Sequence, residues 1–217
     1  GAVTLENSSL INTAVQAGGS AAGGDITIST GSFSLLRGAR VQTRTFDQGT
    51  AGDIQLNFST TATIAGFDPD SLLYSGMVTA ADPADPTDAF SVGGSGSITI
   101  NAVDSPQGEL FITDGAFLSA RNGSSEAGGN IAIHVNNLNV TGGGQILTTS
   151  SSFGDAGAIS VTAIGNVTVA GGRSPLPSPT SPFNNPALPL YSLNGFSFFT
   201  VADPNVEESG NPDTSYV

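Results

Sequence analysis

The sequence predicts an all-β chain, a right-handed parallel β-helix (a solenoid) of about six coils with loop insertions. Three observations point there. First, one phrase recurs: Gly24-Asp25-Ile26-Thr27-Ile28, Gly52-Asp53-Ile54-Gln55-Leu56, Gly96-Ser97-Ile98-Thr99-Ile100, Gly129-Asn130-Ile131-Ala132-Ile133 and Gly157-Ala158-Ile159-Ser160-Val161. Its central isoleucines are 28, 44, 33 and 28 residues apart, the spacing of a repeat array. Second, each copy is followed by a further alternating pair: Phe33/Leu35, Ala62/Ile64, Leu110/Ile112, Leu138/Val140 and Val167/Val169. Third, a third apolar position comes next, at Val41, Leu118 and Ile146, with Val78 as its match in the longer second copy.

Alternation with period two puts Ile26 and Ile28 on one face of a strand and Asp25, Thr27 and Ser29 on the other. One coil cannot bury its own apolar stripe, but stacked coils can, each laying its isoleucine on that of the next. The right hand follows from the strong preference of parallel crossovers.

The elements follow in order along a single domain, 1–217. Val3-Thr4-Leu5 matches the second strand of a coil and Leu10-Ile11-Asn12-Thr13 the third, so the chain opens in mid-repeat, as expected of a piece of a longer protein. In the first full coil Ala39, Val41 and Thr43 should face inward and Arg40, Gln42 and Arg44 outward. The second coil is interrupted by an insertion at 67–74. Its third strand should run from Gly76 to Ala80, matching Ala116 to Ala120 one coil later. A loop with Asp-Pro steps follows at 81–92, and a smaller one at 104–108. Regular coils thus occupy 1–172. Residues 173–190 are a Pro-rich excursion, because proline cannot donate to a central ladder. A strand returns within 191–201, and 202–217 is an acidic, turn-rich tail.

The formal net charge is −13, there is no lysine, and the basic residues are Arg37, Arg40, Arg44, Arg121 and Arg173. That balance argues against nucleic acid, whose phosphates need a basic surface, and against anionic membrane. No apolar run approaches the ~20 residues that span a bilayer, so membrane insertion is not expected. Cysteine is absent, which removes disulfides, thiol nucleophiles and thiolate zinc sites.

Each candidate for chemistry has a plainer competitor. His134, the single histidine, should point outward between Asn101 and Thr162, with no carboxylate in its column to orient it as a base. Asp82, Asp85 and Asp88 offer oxygens to Ca²⁺, as do Asp68 and Asp70, but the spacing matches no cation loop and solvated turns commonly use Asp. Asp25 and Asp53 stack in adjacent coils, where a short polar side chain bonds nearby backbone N–H groups. Arg44 and Arg121 share a column two coils apart, too isolated to form a clamp. The Asn-x-Ser/Thr triplets at Asn7, Asn57, Asn122, Asn139 and Asn166 read as accidents of composition. No catalytic residue and no cofactor is assigned, calcium remaining the one metal considered. The period-breaking loops bring Leu72, Leu73, Tyr74, Phe90 and Phe183, which are the expected contacts for a partner.

The phrase Gly-Asp-Ile-Thr-Ile, then an alternating pair, then Gly-Ala-x-Val/Leu-x-Thr/Ala resembles the repeat region of filamentous-haemagglutinin-type bacterial exoproteins. The resemblance is carried by Gly24–Thr43, Gly52–Ile64 and Ser95–Val169, about half the chain. The Asn-Pro-rich secretion signature of that family is not in this sequence. The resemblance implies a large β-helical surface protein exported by two-partner secretion. It also implies a non-enzymatic role as adhesin or structural stalk, secreted or held at the cell surface, with glycans or cell-surface proteins as partners. The competing classes on the same fold are a carbohydrate-active lyase or hydrolase, marked by converging carboxylates, and a filament subunit that self-associates through its coil edges.

Overall fold

The computed structural model describes residues 1–83, 93–102, 108–171 and the backbone of 198–201. The described residues are all-β. The chain passes through short strands in a repeating three-beat order. It begins with β1 (Ala2–Leu5) and β2 (Leu10–Val15), then β3 (Ile26–Thr30), β4 (Ser32–Leu36) and β5 (Arg40–Thr45). Next come β6 (Ile54–Phe58) and β7 (Thr61–Ala65), a hairpin of β8 (Phe67–Asp68) and β9 (Leu73–Tyr74), and β10 (Gly76–Ala81). The beat resumes with β11 (Ile98–Ala102), β12 (Glu109–Thr113) and β13 (Phe117–Asn122), then β14 (Ile131–Val135), β15 (Asn137–Val140) and β16 (Gln145–Ser150). It closes with β17 (Ile159–Ala163), β18 (Val167–Val169) and β19 (Phe198–Val201).

Three parallel sheets result. The first is β1-β4-β7-β12-β15-β18, the second β2-β5-β10-β13-β16-β19, the third β3-β6-β11-β14-β17; only β8 and β9 pair antiparallel. An arrangement in which, the β8–β9 hairpin aside, every third strand adds to the same sheet fits a parallel solenoid.

Register is one residue per rung throughout. Ile26, Ile54, Ile98, Ile131 and Ile159 are successive partners in the third sheet. Phe33, Ala62, Leu110, Leu138 and Val167 do the same in the first. The inward columns of all three sheets merge into one core of Ile, Leu, Val and Phe. Burial is complete at the middle rungs and fades at the last, where Ile159 is half-buried and Val167 and Val169 are exposed. Ala39, Val41 and Thr43 face in and Arg40, Gln42 and Arg44 face out, as their alternation requires.

One assignment is corrected. Val41 and Leu118 pair through Met77, not Val78, and Gly76 is opposite Phe117 rather than Ala116. Val78 points to the outer face, where it joins Tyr74, Ala80 and Phe117 in a small second cluster against Phe67. All six residues of β10 are buried, so alternation cannot reveal which face is the core. A one-residue slip then reverses every side chain.

Corners are built from backbone. From first to second sheet the chain turns on two residues of positive φ: Asn7-Ser8, Arg37-Gly38, Asp114-Gly115 and Gly142-Gly143. From second to third sheet the turn ends on Gly24, Gly52, Gly96, Gly129 or Gly157. A Cβ at Gly96 would overlap the Gly52 carbonyl one rung away, and one at Gly129 that of Gly96, so rungs approach there as only glycine allows.

Candidate functional site

Polar side chains at the coil corners are consumed by the stack. The Asp53 N–H donates to Asp25 Oδ1 at 2.8 Å, Ser97 N–H to Asp53 Oδ1 at 2.7 Å, Asn130 N–H to Ser97 Oγ at 3.1 Å, and Ala158 N–H to Asn130 Oδ1 at 2.7 Å. Asp25 and Asp53 are therefore acceptors in a ladder that climbs the corner, the turn chemistry their positions suggest. Beside it runs a second ladder on the outer face of the third sheet. Asn57 Nδ2 donates to Ser29 Oγ at 3.4 Å, Asn101 Nδ2 donates to Asn57 Oδ1 at 3.1 Å, and His134 Nδ1 lies 3.1 Å from Asn101 Oδ1. His134 is exposed between Asn101 and Thr162, with an amide rather than a carboxylate on its ring.

Three further corner residues escaped the sequence reading. Thr45, Asn122 and Ser150 occupy one column at the end of the second-sheet strands. Thr45 Oγ1 donates to the carbonyls of Asp47 (2.8 Å) and Gly49, and Ser150 Oγ to those of Ser152 (3.3 Å) and Gly154 (2.5 Å). Asn122 Nδ2 reaches Ser124 (3.4 Å) and Glu126 (2.5 Å). Each braces the carbonyls two and four residues ahead. The signal was present as a polar residue closing each strand, but differs in identity from copy to copy. Asn122 is fully buried in this role, and so its Asn-Gly-Ser triplet presents no side chain to solvent.

The insertion at 67–74 lies back on the preceding corner instead of standing off. Asp68 accepts from Ser8 Oγ at 2.5 Å, Ser71 Oγ at 2.8 Å and the Asp70 N–H at 3.2 Å. Those hydroxyls, Ser8 first, hold its carboxyl below the usual carboxylate range. Ser75 Oγ donates to the Ala65 carbonyl and accepts from the Gly38 N–H. Tyr74 is buried against Phe67, ring centroids 4.7 Å apart. Leu73 is half-buried and Leu72, at φ 58°, is 41% exposed. Of the described residues expected to contact a partner, Leu72 is the exposed one; Phe90 and Phe183 lie outside the described residues.

The outer face of the second sheet gathers charge. Arg44, Ala80 and Arg121 are rung partners, as are Arg40, Gly76 and Phe117. Arg44 and Arg121, expected to stand apart, reach toward each other across the small Ala80 and meet on Asp82. Arg44 Nε lies 3.4 Å from Asp82 Oδ2, and Arg121 Nη2 pairs with Asp82 Oδ1. The column was legible, but not the carboxylate that joins it, since Asp82 lies just past the end of β10. Both Asp82 oxygens being taken up by guanidiniums, that residue is poorly placed for calcium. Asp85 and Asp88 lie outside the described residues. Among the described residues no three His, Asp or Glu gather within metal-ligating reach.

Arg40 completes the group. Its Nε donates to the Tyr74 carbonyl at 3.2 Å, and its guanidinium carbon lies 5.7 Å from the Phe117 ring centre. A Cβ at Gly76 would sit 2.8 Å from that ring, so glycine leaves room for Phe117 beneath Arg40. Burial, then the charges of Arg44 and Arg121, lower the Arg40 pKa. Burial lowers that of Arg44 too, Asp82 opposing. The arrangement can hold an anion and offers no acid–base pair for bond cleavage. Compared with protein-family models, characterised proteins and solved structures, the chain finds no match.

Proposed function

We propose that the chain is a segment of a right-handed parallel β-helix of about six coils, working without catalysis as a structural stalk or adhesin. In this reading it belongs to a secreted or surface-held bacterial protein of the filamentous-haemagglutinin type. The observation that carries the reading is the fate of the outward polar groups. Asp25, Asp53, Ser97 and Asn130 bond rung to rung, as do Asn57, Asn101 and His134. A cleaving enzyme needs carboxylates aimed at a shared point in a cleft; here Asp25, Asp47, Asp53 and Asp68 serve as braces. A rod whose side chains tie each coil to the next supports extension and load, with recognition left to loops and to isolated patches.

The test is a glycan array probed with the purified protein, with electron microscopy of the same preparation. Rod-shaped particles that bind glycans and release no reducing ends or unsaturated uronates are the expected result. Turnover of any polysaccharide overturns the non-enzymatic reading, and compact particles with a blank array overturn the stalk and adhesin reading.

A further inference from the structure

In a chain of net charge −13 with only five basic residues, three of them share one patch. Arg40 and Arg44 lie four residues apart on the outer face of β5, and Arg121 lies two rungs from Arg44. Among the described residues the one carboxylate in ion-pair reach of the three is Asp82. Among the described residues three guanidiniums against one carboxylate leave two positive charges uncompensated. A part-buried ion network that served stability alone would be expected to balance its charges, since unpaired ones are costly to desolvate.

Arg40 is the member built for a ligand. Its Nε is spent on the Tyr74 carbonyl and its plane rests near Phe117, which fixes the guanidinium. Among the described residues no carboxylate takes its two terminal nitrogens. A fixed guanidinium fork matches a carboxylate bidentately, whereas Asp82, one column away, meets Arg44 and Arg121 through one nitrogen each.

We propose that Arg40, with Arg44 beside it, binds the carboxylate of an acidic sugar residue carried on an otherwise neutral glycan. This deepens the adhesin reading and rests on it for the glycan. Charge selects a singly charged ligand. The protein's overall negative field repels a polyanion, whereas one carboxylate feels mainly what lies within a Debye length of about 8 Å. The flanking outward residues are uncharged: Gln42 between the two arginines and Ser119 two rungs away. Both are half-buried, and their amide and hydroxyl suit sugar hydroxyls. An acidic peptide fits less well, because the patch is a sheet face and offers no strand edge for a peptide backbone to pair with.

The test is an NMR titration of the intact chain with sodium glucuronate, beside glucose, acetate and a glutamate-containing peptide. Glucuronate is expected to shift the signals of 40–44 and to bind more tightly than the other three. Arg40→Gln should weaken it by about tenfold, the worth of a charge-assisted hydrogen bond. Arg40→Lys, which keeps the charge and loses the fork, should weaken it as well. Asp82→Asn should strengthen it by removing the competing carboxylate, with melting midpoints confirming that each variant folds. No glucuronate binding, or binding unchanged in both Arg40 variants, overturns the site. Acetate binding as tightly as glucuronate, or the peptide binding more tightly, overturns the sugar assignment.

The array separates this proposal from the one beneath it. Glycans bound equally by wild type and Arg40→Gln overturn the site and leave adhesion standing. Glucuronate bound at Arg40 with a blank array overturns adhesion and leaves the site.

Discussion

The Asp53 N–H donates to Asp25 Oδ1 at 2.8 Å across 28 residues of sequence, and the Asp53 carboxylate in turn accepts from Ser97 at 2.7 Å. One residue is thus donor to the rung before and acceptor for the rung after. Asp53→Ala should remove the acceptor and cost about 0.5–1.5 kcal/mol, the net worth of an ordinary hydrogen bond. Asp53→Asn, which mirrors Asn130 in the same ladder, should stay near wild type. Urea unfolding of the two variants checks this, and equal losses would assign the effect to charge instead of to the acceptor.

The isoleucine column makes a graded prediction. Ile98 is fully buried between Ile54 and Ile131, whereas Ile159 is half-buried at the end of the described third sheet. Ile98→Ala should destabilise by about 2–5 kcal/mol through lost burial and a residual cavity, and Ile159→Ala by clearly less. Thermal melts decide it, and equal shifts would count against the single continuous core.

That column was legible in the sequence because strand alternation writes the inward face directly as Ile-x-Ile or Ile-x-Val. Legibility failed at β10 for a physical reason: the β8–β9 hairpin covers the outer face, so Met77 and Val78 are both buried. It failed again at Arg44 and Arg121, whose shared column was plain but whose Asp82 partner enters from beyond the strand. Rung-to-rung register follows from periodicity. Contacts made by the residues that break the period do not.

Gly38 tests how firmly the hairpin is docked. At φ 79° any side chain is strained there, and a Cβ would also lie 2.8 Å from Asp68 Cβ and 3.0 Å from the Leu73 carbonyl. Gly66 has φ 87° but nothing nearer than 3.5 Å. Gly66→Ala should cost about 1–2 kcal/mol for the left-handed backbone alone, and Gly38→Ala should cost more. Hydrogen exchange should place the added loss at 67–76, and protection unchanged there would mean the hairpin does not lean on this corner.

Acid should loosen the same contact. Ser8 and Ser71 hold the Asp68 carboxyl below its ordinary 3.8. A carboxylate with a depressed folded pKa adds stability that is present above its unfolded pKa and is lost as pH falls through the folded one. Wild type should therefore outlast Asp68→Asn at neutral pH and lose that margin below about pH 4. Ser8→Ala should raise the Asp68 pKa in a carboxyl NMR titration; an unmoved value would remove Ser8 as the main cause.

The corner brace at Asn122 carries the largest polar prediction. Its Nδ2 donates to Ser124 and Glu126 carbonyls, while its Oδ1 accepts from the Ser124 N–H at 3.2 Å and the Ser124 hydroxyl at 2.8 Å. Asn122 and Ser124 are both fully buried, so Asn122→Ala strands donors and acceptors where water does not reach. The loss should be about 1–3 kcal/mol, the desolvation penalty of buried groups left unpaired. Asn122→Ser should recover part of it, because Ser150 holds the next corner with a hydroxyl reaching its own loop carbonyls. Asn122→Asp should not, since a buried carboxylate would face the Ser124 and Glu126 carbonyls with no proton to donate. Stability measured for the three substitutions should rank Ser above Ala, with Asp at or below Ala at neutral pH. Asp matching Ser would mean that the column requires only an acceptor, and that the carbonyls of the corner are satisfied by other means.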